Sequence, residues 1–258
     1  MKKVLILANK IPYPSKDGSS IAMARTLECI LELPNIHVTY GAINTLKHRK
    51  HVDDFPHQIK SQIELKTFEE DTSPNTFTGL YNLLLTSKPY NATRFLVHSM
   101  REWLYSFDDG HFDVVIIEGA FMGYYLPLAK VKGKKVVLRT HNLEHIIWER
   151  TASNMNDPLR RFYLKIQSNR LHNFEERITQ LSDAIWSISP VDAFWFKALN
   201  SKTYHVPVAV SPAEPLQEVV PMKCFHLGAL DWKPNLIGLD WFLSQVWPRV
   251  LKSRPQAE

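Results

Sequence analysis

Residues 134–150, KKVVLRTHNLEHIIWER, join a short apolar run to a polar turn and the start of a helical pattern. Residues 136–138 are apolar and rich in β-branched side chains, which is typical of a buried parallel strand. Polar residues 139–142 follow at its carboxyl end, where open α/β sheets bind their ligands. We therefore predict a ligand site here, in which Arg139 binds a phosphate or carboxylate and His141 exchanges protons near neutral pH.

A structural role for the same residues is the alternative. Asn142 would then cap the following helix, and Arg139 would pair with Glu144. His141 would be a satisfied loop residue. The residues alone leave both interpretations open.

Strand-like and helix-like segments alternate along the chain. Apolar runs predict six strands and a candidate seventh, at residues 4–8, 36–40, 62–66, 112–117, 136–138, 184–188 and 204–206. Helices are predicted between them, including about 19–33, two within 77–107 and a long one that Asp157 and Pro158 begin. This alternation implies right-handed crossovers and predicts an α/β fold with a doubly wound parallel sheet.

A proline-rich stretch near the end predicts a domain boundary. Residues 206–221, VPVAVSPAEPLQEVVP, contain four prolines and no helical period. We predict a first domain at 1–206, a linker at 207–221 and the start of a second α/β domain at 222–258. Its strand at 224–227 and its single helix cannot bury a core of their own, so we expect this domain to be incomplete.

Composition restricts the class of protein. The hydrophobic content of 45% and charged content of 22% are typical of a globular protein, and the net charge of +5 favours anionic partners. The basic residues are dispersed without a recognition motif, so nucleic acid is not an expected partner. Cys29 and Cys224 lack metal-ligand spacing and are predicted to be small buried residues. With no apolar run of about 18 residues, we expect a cytoplasmic protein.

Large apolar and aromatic residues are concentrated at 77–107. Most are predicted to be core. The remainder, together with Lys88, Arg94 and Arg101, would form an amphipathic surface that meets a lipid acceptor or the membrane interface. The protein would then be peripheral at the inner face of the plasma membrane.

Four motifs, taken in order, carry a family resemblance. They are the loop of prolines and glycine at 12–18, the R-x-H-N-x-E run of Arg139, His141, Asn142 and Glu144, the S-x-x-D pair Ser189 and Asp192, and the run of Gly228, Asp231, Trp232, Pro234, Asn235, Gly238, Trp241, Phe242 and Pro248. The chain resembles the N-terminal half of GT-B fold glycosyltransferases, specifically the retaining family 4 enzymes of cell-surface polysaccharide synthesis. This resemblance implies a Rossmann-like domain.

The resemblance also implies ligands. Such enzymes hold a nucleotide-sugar donor, linked to UDP or GDP, between two Rossmann-like domains, and the N-terminal domain receives a saccharide or lipid-linked acceptor. No further cofactor and no metal are implied. Asp17, Gly18, Ser19 and Ser20 would approach the donor diphosphate, because glycine permits close backbone contact and a helix start offers unpaired N–H groups.

Roles for the polar cluster follow from the same resemblance. His141 would lie beside the reacting sugar, as a hydrogen-bonding group or as a support for the leaving phosphate. Arg139, Asn142 and Glu144 would form the site wall or orient the histidine. Glu118 would contact the acceptor or cap a neighbouring helix, and Ser189 and Asp192 are predicted to be capping residues.

One family feature is missing from the sequence. The family clamps its donor with a glutamate pair separated by seven residues, and no two glutamates here stand eight positions apart. We therefore expect the acceptor-side domain of a truncated or split transferase, with little turnover by itself.

Two other functional classes also have a doubly wound sheet or a ligand crevice of this kind. A dinucleotide-dependent oxidoreductase should carry G-x-G-x-x-G after its first strand, but residues 9–20 contain only Gly18. A non-catalytic module that binds glycans or nucleotide sugars remains open, because the same crevice can bind without reacting.

Overall fold

The computed structural model of the protein describes residues 1–46, 49–210, 221–228, 230 and 233–258. The chain divides into two compact units, Met1–Ala209 and Val210–Glu258. Most of the predicted linker, residues 211–220, lies outside the described residues.

A seven-stranded parallel sheet forms the centre of the first unit. Its strands are β1 (Lys2–Ala8), β2 (Ile36–Thr45), β3 (Ile63–Glu70), β4 (Val114–Glu118), β5 (Val136–Thr140), β6 (Ala184–Ser187) and β7 (Thr203–His205). They lie in the order β3-β2-β1-β4-β5-β6-β7. The strand order reverses between β1 and β4, which makes the carboxyl ends of these two strands the topological switch point. The predicted doubly wound α/β fold is confirmed.

Helices connect the strands. They are α1 (Gly18–Leu31), α2 (His57–Lys60), α3 (Thr76–Leu85), α4 (Tyr90–Thr93), α5 (His98–Tyr105), α6 (Leu126–Lys132), α7 (Glu144–Ser153), α8 (Pro158–Leu181) and α9 (Pro190–Leu199), with 3₁₀ turns at Val52–Asp54 and Ala120–Tyr125. Asp157 caps α8 and Ser189 caps α9, as the sequence predicts. None of the helices in the described part of the chain is both long and apolar enough to span a bilayer.

Alternate residues of the central strands supply two hydrophobic layers. Leu5 and Leu7 of β1 pack in one layer with residues of α5, α6, α8 and α9. Val4 and Ile6 pack in the other layer with residues of α1. Both faces of the sheet are thus buried, which explains the continuous apolar character of the strands.

The segment at 77–107 differs from its prediction in two ways. It forms three helices rather than two, because Pro89 starts the additional short helix α4. Met100 and Leu104 of α5 are buried as predicted, whereas the apolar residues of α3 are mostly exposed. Arg94 does not join an exposed surface, since its guanidinium folds back onto the Thr72 carbonyl and onto Asn91.

Both cysteines contradict the prediction that they are buried. Cys29 lies on the outer side of α1 and is exposed, and Cys224 is exposed in the second unit. The strand predicted at 224–227 is wrong, because these residues form no strand in the structure. The Cys224 N–H instead donates to the carbonyl of Glu258.

The second unit is helical between residues 233 and 253. It contains α10 (Lys233–Trp241), a π-helical turn (Phe242–Val246) and α11 (Trp247–Ser253). Trp241 is exposed there. The predicted helix is therefore present, with a π turn in its middle.

Candidate functional site

The carboxyl ends of the central strands bring three sequence-predicted residues together. In the register of the sheet, Ala8 of β1 pairs with Glu118 of β4, which pairs with Arg139 of β5. Residues two apart on a strand share a face, so Arg139 and the following His141 project on the same side. This position is the switch point of the sheet.

Glu118, Arg139 and His141 form one hydrogen-bonded cluster. The Oε2 atom of Glu118 lies 2.7 Å from His141 Nε2 and 3.4 Å from Arg139 Nη1, and these two nitrogens are 3.2 Å apart. The side chains of Glu118 and Arg139 are each 1% exposed, and that of His141 is 10% exposed. Because a buried charge requires a partner, the Glu118–Arg139 pair accounts for the burial of both groups.

The short contact to Glu118 assigns the tautomer of a neutral His141. A carboxylate only accepts hydrogen bonds, so Nε2 must carry the proton in the 2.7 Å contact. The Arg139 guanidinium, which only donates, then makes no hydrogen bond to Nε2. The other ring nitrogen, Nδ1, keeps its lone pair and can accept a proton or a hydrogen bond.

Three buried polar atoms around the cluster have no hydrogen-bond partner in the described residues: Asn9 Oδ1, the Tyr40 hydroxyl and Arg139 Nε. Burial, together with the nearby charge of Glu118, raises the pKa of Tyr40 well above its usual range. Sequence reasoning missed Asn9 and Tyr40. Asn9 could have been found as the first polar residue after β1, whereas Tyr40 lies within an apolar strand and gives no such signal.

The loop after β1 differs from its predicted form at the helix start. Asp17 caps α1, and its Oδ1 atom accepts hydrogen bonds from the N–H groups of Ser19 at 3.1 Å and Ser20 at 3.0 Å. The expectation that these N–H groups are unpaired is therefore wrong, because the Asp17 carboxylate occupies the position of an anion. Burial alone would raise the pKa of Asp17, but hydrogen bonds from Lys10 and Ser20 hold it well below its usual range.

Two lysines that sequence reasoning missed make this loop basic. Lys10 Nζ contacts Asp17 Oδ1 at 2.7 Å, and Lys50 Nζ donates to the carbonyls of Ile11 and Pro14 at 2.9 Å each. Burial, followed by the charge of Lys10, lowers the pKa of Lys50. Lys50 comes from beyond β2, so its position beside the loop is a tertiary effect. The space around Gly18 is open, since a Cβ there would meet nothing within 4 Å.

The residues of the R-x-H-N-x-E run have different partners. Glu144 lies at the start of α7, where the Glu175 carboxylate of α8 accepts from the N–H groups of Glu144 at 3.0 Å and His145 at 2.8 Å. Glu175, rather than Asn142, therefore caps α7, and Arg139 pairs with Glu118 rather than with Glu144. These two details of the alternative structural interpretation are wrong, whereas its third detail, a His141 with a hydrogen-bond partner, agrees with the 2.7 Å contact to Glu118.

A group of acids surrounds the start of α7. Burial and the nearby Glu175 raise the pKa of Glu144 to about 7, although a hydrogen bond with Asn142 opposes the shift. Burial and Glu175 also raise the pKa of Asp192. The Ser189 hydroxyl accepts from the Asp192 N–H at 3.3 Å, which agrees with its capping role. Within the described ranges, no three His, Cys, Asp or Glu residues are arranged to hold a metal ion.

The cluster is held together by hydrogen bonds between buried side chains. A cavity of about 460 Å³ opens elsewhere, beside α3 and α4, and is lined among others by Asn75, Tyr81 and Lys88. We assign the candidate site to the strand ends because the buried charged and polar groups lie there, and not because of the size of a cavity. Buried charge, an oriented histidine and orphaned polar atoms coincide at the switch point.

Comparison with known proteins supports the fold. No family model and no curated protein matches the sequence. UGT71G1 of Medicago truncatula, complexed with UDP-glucose, has a TM-score of 0.50 and 12% identity, over 85% of this chain and 54% of that one. UGT2 of Phytolacca americana, complexed with UDP-2-fluoro-glucose and pterostilbene, has a TM-score of 0.48 and 11% identity, over 82% of this chain and 56% of that one.

The chain thus spans about half the length of these two glycosyltransferases. At such low identity the likeness concerns the fold and not the substrates. The seven-stranded parallel sheet with its flanking helices is a Rossmann-like α/β fold that matches the GT-B glycosyltransferases.

Proposed function

We propose that this chain is the acceptor-side part of a glycosyltransferase that moves a sugar from a nucleotide-sugar donor to a saccharide or lipid-linked acceptor. The observation that carries the proposal is the buried Glu118–His141–Arg139 cluster at the switch point of a GT-B type sheet. The domain boundaries proposed are 1–206 for this part, 207–221 for the linker and 222–258 for the start of the donor domain.

His141 is the proposed catalytic residue. Glu118 fixes the imidazole through the 2.7 Å contact, so that the Nδ1 lone pair is left to accept a hydrogen bond or a proton from a sugar hydroxyl. Only after Nδ1 gains a proton can it donate to the leaving phosphate. Arg139 contacts the Glu118 carboxylate at 3.4 Å in the same buried cluster. Positioned hydrogen-bonding groups of this kind stabilise the charge that develops as a phosphate departs.

The loop after β1 is the proposed contact for the donor diphosphate. Lys10 and Lys50 supply positive charge, and the open space at Gly18 permits a close approach to the backbone. Because Asp17 occupies two helix N–H groups, the diphosphate would bind beside Asp17, Ser19 and Ser20 or displace the carboxylate. The donor would be linked to UDP or GDP.

The finer assignments depend on the sequence motifs. These assignments are the retaining family 4 type, a role in surface polysaccharide synthesis, hexosyl transfer and a position at the inner membrane face. Asn142 and Glu144 are the proposed outer wall of the site, although Glu144 packs toward Glu175. We infer that a donor-binding domain outside these residues completes the cleft, consistent with the half-length match to the UDP-sugar complexes.

The first experiment is a transfer assay on the full-length gene product with UDP-glucose as the probe donor. His141→Ala should lower kcat by at least about 100-fold, the usual contribution of a positioned proton-transfer group, with the unfolding transition unchanged. His98→Ala is the matched control, because His98 lies exposed on α5. An unchanged rate in His141→Ala would refute the assigned role.

A non-catalytic sugar-binding module is the competing function. It predicts binding of the nucleotide sugar without turnover under any pairing of donor and acceptor. A split transferase predicts that turnover appears only when a second chain is added. The same assay separates the three outcomes.

A further inference from the structure

Helix α3 is turned with its apolar side outward. Five large apolar residues form one stripe along it, here called the α3 face: Phe77, Leu80, Tyr81, Leu84 and Leu85. Phe77 is 85% exposed and Leu84 is 70% exposed. The buried residues of the helix are Gly79 and Asn82. A surface helix normally packs its apolar stripe against the core, so this orientation is inverted.

Specific contacts hold the inverted orientation. The Asn82 side-chain oxygen accepts from Gln167 Nε2 at 3.1 Å, and Arg170 donates to the carbonyls of Asn82 and Leu83 at 3.1 and 2.9 Å. Gly79 lies against α8, because a Cβ there would be in ordinary contact with the Tyr163 hydroxyl oxygen at 3.6 Å. Rotating the stripe inward would break buried hydrogen bonds, which is costly. The exposure is therefore fixed by the fold.

The first turns of α8 extend the same surface. Leu159 and Phe162 are exposed there, on the helix against which α3 packs. Arg161 and Lys165 are exposed in the same turns, and the Nε atom of Arg161 donates to the Met155 carbonyl at 2.8 Å. The surface is thus apolar with cations at its border.

Lys88 and the exposed acid Asp71 line one cavity with Tyr81 of the α3 face, and Arg161 and Lys165 are two further cations on α8. Helix α3 itself contains no charged residue, and Lys88, which follows it, is exposed. Asp157 is the acid at the start of α8, where it caps the Leu159 and Arg160 N–H groups and pairs with the Arg160 side chain at 3.5 Å. A large apolar patch bordered by cations complements an anionic lipid surface.

We propose that the α3 face, with Leu159 and Phe162, docks on an anionic lipid bilayer. The apolar side chains enter the interface, and Lys88, Arg161 and Lys165 contact the headgroup phosphates. A second copy of the chain would fit the α3 face less well, because a two-fold interface would place Lys88, Arg161 and Lys165 of one copy near those of the other. The inference rests on the proposed function in one respect: a lipid-linked acceptor lies in such a bilayer.

The test is co-sedimentation of the full chain with vesicles made of equal parts phosphatidylglycerol and phosphatidylcholine, against vesicles of phosphatidylcholine alone. We expect binding to the anionic vesicles that is at least about tenfold stronger, since each cation near such a surface contributes about fivefold. The double variant Phe77→Ser, Leu84→Ser should lose at least about tenfold in binding. The double variant Arg161→Gln, Lys165→Gln should lose the preference for anionic lipid.

Matched controls lie on α9. Val191→Ser with Phe194→Ser removes equally exposed apolar side chains, and Lys197→Gln removes an exposed cation. These variants should bind vesicles as the original chain does. Equal losses of vesicle binding in the α3 and α9 variants would overturn the proposal. Absence of vesicle binding by the original chain would also overturn it, as would self-association of the chain instead of vesicle binding. Vesicle binding by this chain, together with no sugar transfer by the full-length gene product or after addition of a second chain, would refute the proposed function alone.

Discussion

At the residue scale, burial and one neighbour from another helix set the protonation equilibrium of Glu144 on α7. Its pKa is raised from 4.5 to about 7 by burial and by Glu175 of α8. The folded state then holds a proton that the unfolded state has lost between these pH values. The free energy of unfolding should therefore fall as pH rises from about 4.5 to about 7. Above about pH 7, the contribution of Glu144 to it should change little.

Glu144→Gln tests this equilibrium, because glutamine resembles the protonated acid. The variant should match the original chain near pH 4.5 and be more stable above about pH 7, by up to about 3 kcal/mol. The test is to measure the free energy of unfolding in urea for both proteins between about pH 4.5 and about pH 7. Glu149→Gln, an exposed position on the same helix, is the control and should show no such crossover. Parallel profiles for Glu144→Gln and the original chain would contradict the assignment.

At the scale of elements, the 3₁₀ turn at Ala120–Tyr125 packs tightly on α8. A Cβ at Gly123 would lie 2.8 Å from Ile178 Cδ1, 2.9 Å from its Cγ2 and 3.0 Å from Phe174 Cζ. Ile178 is buried and branched at Cβ, so it has little freedom to move away. Gly123→Ala should lower the free energy of unfolding by about 1–3 kcal/mol.

Gly18→Ala is the matched control, since the space around Gly18 is open. Thermal unfolding should separate the two variants clearly. Equal stability of Gly123→Ala and the original chain would mean that α8 moves away at no cost. If Gly18→Ala keeps its stability but weakens donor binding in the full-length protein, the proposed diphosphate loop gains support.

At the scale of the whole molecule, the first unit has a core and a hydrogen-bonded sheet of its own. The last strand, β7, ends at His205, inside the unit Met1–Ala209. A fragment of residues 1–209 should therefore unfold in one cooperative transition when unfolding is monitored by circular dichroism. A fragment of residues 1–199, which lacks β7, should be less stable because β6 loses one of its two partner strands. A non-cooperative transition of the longer fragment would show that its core depends on later residues.

The sequence by itself determined the alternation of strands and helices, the starts of α8 and α9, and the presence of polar residues at the carboxyl ends of β4 and β5. These features depend on local patterns: the apolar runs, Asp157 with Pro158, and Ser189. The polar residues after β5 were found in the same way, because carboxyl ends of parallel strands share one edge.

Only the tertiary structure decided which of those residues act together. Glu118 and His141 meet because β4 and β5 are neighbours, and Glu144 turns to Glu175, which is 31 positions away. The outward apolar stripe of α3 likewise depends on contacts with Gln167 and Arg170. Local pattern specifies that a helix is amphipathic, but contacts between distant residues specify which side it buries.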